Sequence, residues 1–297
     1  MTRRDTLSSM LSNIALYTRS LINPVRMILE DRYGRIGFVI VASIVLLGVL
    51  APYLPLPDYN ALAFDRFLPP SREHLLGTDS LGRDLLSRVI WGARVSLLVG
   101  FTAAGIAAII GILLGTLAGY YGGVIDVVIS RVIDIFFVIP TFFIALTLAA
   151  IYGSNIYLLM LIIGLTTWPT TARIMRAQVY VARELLYVEA ARALGAGDRR
   201  IILKHIIPVA IPPAIANTIL LVGNAIIIEA GLSYLGLGDP NIPSWGRIIY
   251  EGQPYIERAW WISIFPGVFL VITVLGLNFL GDSLYRIFTP RIRAYSR

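Results

Sequence analysis

The chain contains no cysteine, which excludes disulfides, thiolate metal sites and a cysteine nucleophile. Histidine is nearly absent, with only His74 and His205, far apart in sequence, so a histidine-rich metal centre is excluded as well. Charge is scarce. Only 14% of the 297 residues are charged, where soluble domains carry about a quarter. Lysine occurs once, as Lys204, and every other basic residue is arginine. No G-x-x-x-x-G-K-[ST] loop occurs, so the chain lacks the Lys–hydroxyl pair that cradles nucleotide phosphates.

What is abundant is apolar surface, at 57% of residues. One soluble core cannot hide so much, whereas lipid can. The basic opening MTRRDTLSSM is not followed by a short apolar core and a small-residue cleavage site, so it does not read as a signal peptide. Six apolar runs are long enough to span: one beginning at Ile36, one after Arg94, and others beginning at Val127, Ile156, Ile211 and Trp260. The third and fourth are separated by Gly153-Ser154-Asn155, a turn that makes them an antiparallel hairpin. The expected fold is all-α with six transmembrane helices.

Orientation follows from the distribution of Arg and Lys. The N-terminal segment has six basic residues, the link between runs 2 and 3 has Arg131, the link between runs 4 and 5 has seven, and the tail has four. The alternate segments hold five, none and two. Both termini and the 4–5 link are therefore expected in the cytoplasm of a multi-pass protein of the cell (inner or plasma) membrane. The net charge of +7 is scattered along these flanks, which argues against nucleic-acid binding. The expected organisation is a cytoplasmic segment 1–35, either a helix lying on lipid or a tether. A first span with outer loop follows over 36–91, then a five-helix core over 92–288 and a cytoplasmic tail over 289–297.

The 4–5 link is unusually organised. ELLYVEAARAL (184–194) has good helix propensity, with Gly195 as its C′ residue. Asp198 is the expected N-cap of a second helix, DRRIILKHII, which Pro208 ends. Ile201, Ile202, Ile206 and Ile207 supply a packing face, while Ala190, Ala191 and Ala193 leave one flank open to close approach. By pattern alone, this hairpin either packs under its own membrane domain or receives another protein.

The spacing of Glu189, Ala190, Ala191, Gly195 and Pro208 resembles the EAA loop of binding-protein-dependent ABC importer permeases. The family pattern ends I-x-L-P, whereas this chain has His205-Ile206-Ile207-Pro208; the dipeptide and oligopeptide branch often carries a similar H-I-L-P. HLLGTDSLGRDLLSRVIWGARVSL (74–97) and EAGLSYLGLGDPNIPSWG (229–246) resemble segments of the "C-type" permeases of that branch. The resemblance covers the chain from about residue 30 onward.

It implies a type I importer permease fold with the EAA loop over 184–208. It implies a second related permease subunit completing the path as a heterodimer, two cytoplasmic ATPases that bind ATP and Mg, and an extracytoplasmic binding protein; the chain itself would hold no cofactor. Glu189, Ala190, Ala191, Arg192, Gly195, Ala196, Gly197, Asp198 and Pro208 would then couple to an ATPase, with Glu189 and Arg192 able to pair on one helix face. Members of the branch import dipeptides, oligopeptides, nickel complexes or oligosaccharides, and peptide is the default reading. An ATP-independent secondary transporter would instead show repeat-related broken helices and a charged midplane, and a membrane enzyme a catalytic constellation. Neither pattern is present.

Charges near the spans are the remaining candidates. Arg131 and Asp134, with Asp126 nearby, are expected to pair locally, and Asp282 and Arg286 likewise, the alternative being a role in gating or toward substrate. Glu229, alone among apolar neighbours, is either a gating group or a structural brace. Asp79, Arg83, Asp84 and Arg88 read as an interfacial outer helix, either solvated or receiving the binding protein. Trp245 reads as an interfacial anchor or part of a lid. Pro140 and Pro169 are expected to kink spans 3 and 4. Gly105, Gly111, Gly115 and Gly119 are expected to permit close helix contact.

Overall fold

A computed structural model describes residues 24–153 and 155–288. The 289–297 tail and most of the N-terminal segment, with its candidate surface helix, lie outside the described residues. The elements are α1 (Pro24–Glu30), α2 (Arg32–Leu50), α3 (Leu85–Tyr121), α4 (Gly123–Val138), α5 (Thr141–Tyr152) and α6 (Ile156–Ala182). They continue with α7 (Leu186–Ala193), α8 (Asp198–Ile201), α9 (Ile207–Leu232), α10 (Trp245–Gly252) and α11 (Trp261–Phe288).

Among the described residues five helical segments are long and apolar enough to cross a membrane, and α4 with α5, bent by 82°, makes a sixth if the pair is one broken span. The bend has a cause in sequence. Ile139 precedes Pro140 and is extended (φ −97°, ψ 123°), as the proline ring requires of its predecessor. Pro140 then sits at the N-cap of α5, so the expected kink is a break. Pro169, by contrast, lies inside a continuous α6.

Two expected boundaries are corrected. The second span starts at Leu85, not after Arg94, because Asp84 caps it by accepting from the Ser87 N–H at 2.8 Å. At 37 residues, α3 is about 55 Å long and overreaches the hydrocarbon at about 30 Å. Pro208 does not end the helix after Asp198. A π turn over Ile202–Ile206, in which Ile207 N–H donates to Ile202 O, precedes it. The wider turn absorbs the proline, and the helix runs on into α9.

The core is built around α3 and α6, whose close approach follows from glycine. A Cβ at Gly111, Gly115 or Gly119 would lie 2.6 Å from Thr171 Cβ, 2.5 Å from Ala172 O and 2.6 Å from Arg176 O respectively. With hydrogen there instead, the backbones touch along more than two turns. Gly105 meets nothing within 4 Å and does not share this seam. α9 packs on α3, α6 and α11, and α2 lies outside against α11 and α3. The bundle thus has one end carrying α7 and α8, rich in arginine, and an opposite end carrying residues 54–84 and α10.

Candidate functional site

At the arginine-rich end the chain forms a compact hairpin. α7 closes with the reciprocal bonds of a glycine-ended helix: Ala196 N–H donates to Ala191 O and Gly195 N–H to Arg192 O, both at 3.0 Å. Gly195 sits at φ +82° with open space where a Cβ would be. Glycine is therefore required by the backbone there, not by crowding.

The hairpin is anchored from one side. Val188, Ile201 and Ile206 are fully buried with Tyr120, Met175, Val179, Ala210 and Ala214. Tyr187 Oη donates to His205 O at 3.2 Å. The opposite side is bare: Leu186 and Leu194 are 82% and 89% exposed, and Glu189, Ala190, Ala193, Gly195 and Gly197 are also exposed. Residues 186, 190 and 193–194 share one helical face. Two leucines held in solvent on a rigid stalk are an unsatisfied apolar tip.

Asp198 is not the cap that its position suggested. Gly197 is the N-cap residue, and the Asp198 carboxylate instead accepts from Tyr120 Oη at 2.7 Å. Arg192 lies against the same hydroxyl rather than pairing with Glu189. Arg183 Nη1 donates to Gly119 O at 3.1 Å and Tyr120 O at 3.3 Å, two of the carbonyls left open where α3 ends. The end of α3 is thereby tied to α6 and to the hairpin.

The two expected local pairs, Arg131–Asp134 and Asp282–Arg286, are replaced by pairs between elements, and Asp126 enters a third such pair. Asp126 binds Arg176 of α6 through two hydrogen bonds, Arg176 Nη2 to Oδ2 at 2.7 Å and Nε to Oδ1. Asp134 pairs with Arg173 at 3.4 Å, not with Arg131. Arg286 pairs with Asp31 at 3.1 Å, not with Asp282. Spacing along one helix permits a pair, but a carboxylate facing α6 meets the guanidinium that packing delivers.

At the opposite end, Asp79, Arg83, Asp84 and Arg88 do not form a solvated surface helix. Asp79 and Arg83 lie in the ordered loop before α3, Asp84 caps α3, and Arg88 is in its first turn. Asp79 Oδ2 accepts from Arg83 Nε at 2.6 Å and Arg88 Nη1 at 2.7 Å. Glu251 Oε2 on α10 accepts from Arg83 Nη2 at 2.6 Å and Arg88 Nη1 at 2.7 Å, and Glu251 Oε1 from Arg247 Nε at 3.0 Å. Arg88 and Asp79 are almost wholly buried. Burial pushes the Asp79 carboxyl up, but Arg88, the Arg83 backbone N–H and the Arg83 guanidinium outweigh it and hold it below the usual range. Glu251 is likewise held low against its burial by Arg88 and Arg83.

Trp245 is not a surface anchor. It is completely buried, donating Nε1–H to Val89 O at 3.0 Å. Glu229 is buried too, yet not among apolar groups alone: Ser233 Oγ donates to its Oε1 at 2.6 Å, and the Ser96 and Ser244 hydroxyls lie beside it. Sequence reasoning missed Glu251, Arg247, Tyr120, Arg176 and Arg183. The i,i+4 spacing of Arg247 and Glu251 was a usable signal. Tyr120, at the end of an apolar run, read as nothing more than a boundary aromatic. Among the described residues no group of three or more His, Cys, Asp or Glu could hold a metal ion.

Residues 111–294 match the model of a family described as binding-protein-dependent transport system inner membrane component. The chain is 40% identical over 270 residues to a putative peptide transport system permease protein of Brucella abortus, covering 90% of this chain and 91% of that one. It is 36% identical to the dipeptide transport system permease protein of Alkalihalophilus pseudofirmus, covering 89% and 88%. It is 35% identical to the oligopeptide transport system permease protein of Bacillus subtilis, covering 89% and 87%. Its fold is similar to a chain of the MetNI methionine ABC transporter in an inward facing conformation, with a TM-score of 0.53, 23% identity and coverage of 69% and 96%.

Proposed function

The chain belongs to the family of binding-protein-dependent transport inner-membrane components, and from that premise we propose that it forms half of a peptide-importing path and docks a cytoplasmic ATPase through the α7–α8 hairpin. The observation that carries the docking reading is the bare apolar tip, Leu186 and Leu194, on a short helix anchored from the other side by the buried Val188. A rigid short helix transmits displacement, and differential binding of ATP between two states of the ATPases supplies the free energy. ATP and Mg2+ belong to the ATPases. The second half of the path is a related permease, and a binding protein delivers substrate to the opposite end, where α10 and the loop before α3 meet. Both termini are cytoplasmic in this arrangement. Peptide is the substrate class because the relatives with high coverage are peptide, dipeptide and oligopeptide permeases.

In this reading α3 connects the two ends. Tyr120 takes up motion of the hairpin through Asp198, and Arg88, at the far end of the same helix, holds α10 through Glu251. The test is purification of the tagged chain from its native membrane, with mass spectrometry of what accompanies it, for wild type and Gly195→Pro. Proline requires φ near about −65°, the opposite sign to that at Gly195. Recovery of two ATPases and a second permease with the wild type, with the ATPases lost or ATP hydrolysis uncoupled from uptake in the variant, supports the reading. A chain that runs alone and transports without ATP overturns it.

A further inference from the structure

We propose that a groove between α2 and α3, at the end away from the hairpin, is a binding site for one phospholipid, with the phosphate on Arg94 and Tyr53. The groove measures about 480 Å³ and is lined by Val45, Val49, Leu98 and Phe101, with Tyr53 and Arg94 as its polar residues. Its polar side chains are both donors. No carboxylate or carboxamide lines it, so a ligand must bring acceptors, negative charge and an apolar body. A phosphodiester carrying acyl chains has all three.

Arg94 is the observation that calls for a ligand. It is exposed on the third turn of a helix that crosses the membrane, and among the described residues no Asp or Glu pairs with it. Its recorded contact is the face of Trp91, at 5.7 Å. Arg88, Arg173 and Arg176 each meet a carboxylate. An unpaired guanidinium at membrane depth is costly unless it reaches an anion at the interface.

The level is right for a headgroup. Tyr53 closes the first apolar span, and Trp91, one turn from Arg94, packs on Tyr59 with ring centroids 5.0 Å apart. Aromatic rings of this kind mark the boundary between hydrocarbon and headgroups. Below them Val45, Leu98 and Phe101 continue the groove along the direction an acyl chain would take.

The experiment uses the assembled complex in mild detergent, titrated with phosphatidylglycerol, with bound lipid counted by native mass spectrometry. Wild type is expected to retain one lipid at the site. Arg94→Gln should weaken retention by roughly tenfold or more, the cost of losing a hydrogen bond to a charged group. Arg94→Lys should keep most of it. Leu98→Trp, which fills the groove and leaves the guanidinium, should weaken it too. Equal retention by Arg94→Gln, or equal binding of a diacylglycerol that lacks phosphate, overturns the proposal. Because the chain has no cysteine, Val49→Cys supplies a single thiol. Its labelling by a lipid-soluble maleimide supports an open lipid groove, and its efficient cross-linking to the second permease would assign the groove to that partner and overturn the lipid.

Discussion

At the scale of single residues, buried charge decides where this chain is rigid. Asp79, Arg83, Arg88, Arg247 and Glu251 form a network joining the loop before α3 to α10. Removing one partner leaves the others charged and desolvated, so Asp79→Ala is expected to cost about 3–5 kcal/mol, read as a fall in thermal stability of the purified protein. The pH dependence has a definite sign. Asp79 and Glu251 are held below their ordinary values of 3.8 and 4.5. Their contribution is therefore full above those values and is lost as pH falls through the lower folded ones. Melting temperature should drop on acidification below about pH 4, and Asp79→Asn with Glu251→Gln should flatten that drop. The Tyr120–Asp198 bond makes a different claim. Tyr120→Phe removes one hydroxyl worth about 1 kcal/mol; the complex should assemble normally while substrate taken up per ATP hydrolysed falls roughly fivefold. An unchanged ratio would remove Tyr120 from the coupling route.

Elements show the same division between rule and context. The α3–α6 seam is written in Gly111, Gly115 and Gly119, and Gly115→Leu would drive a side chain into Ala172 O, 2.5 Å from the Cβ position. Overpacking of this kind costs about 1–3 kcal/mol, and the expected readout is a lower yield of folded protein with faster proteolysis of the loops at both ends. The glycine spacing was legible in sequence; that Gly105 stands outside the seam was not, because only the crossing of α3 and α6 decides where contact stops. Proline behaved in three ways. Pro140 breaks a span, Pro169 sits inside a continuous helix, and Pro208 is absorbed by a π turn. Each obeys the same backbone chemistry, but the outcome depends on whether packing around the site holds the helix on course.

For the whole molecule, the charge asymmetry that oriented the chain yields a direct test. In a cysteine-free chain, Leu194→Cys should react with a membrane-impermeant maleimide only from the cytoplasmic side, and Arg72→Cys only from outside. Both sites are exposed on this chain, and labelling after removal of the ATPases keeps docking from masking position 194. The reversed pattern would invert the proposed topology and detach the hairpin from any ATPase. The family assignment constrains the rest: the chain is a permease subunit, and ATP hydrolysis resides in other subunits.

The sequence by itself determined that this is a polytopic all-α membrane protein, that it is a transport component, and that residues 184–208 form a helical hairpin at one end. The transport assignment rests on the resemblance of its motifs to a known family; the other two are carried by composition, hydropathic runs and backbone chemistry, which act locally along the chain. The glycine at 195 is an example, since its left-handed φ is required by the turn whatever surrounds it. Tertiary structure decided who pairs with whom. Asp134 meets Arg173 and not Arg131 of its own helix, Arg286 meets Asp31 at the start of α2, and Glu251 closes a network whose other acid lies far earlier in the chain. A charge near lipid is costly to leave alone, and in these pairs it is satisfied by the opposite charge that the packed helices bring within reach, which is a property of the packing rather than of spacing.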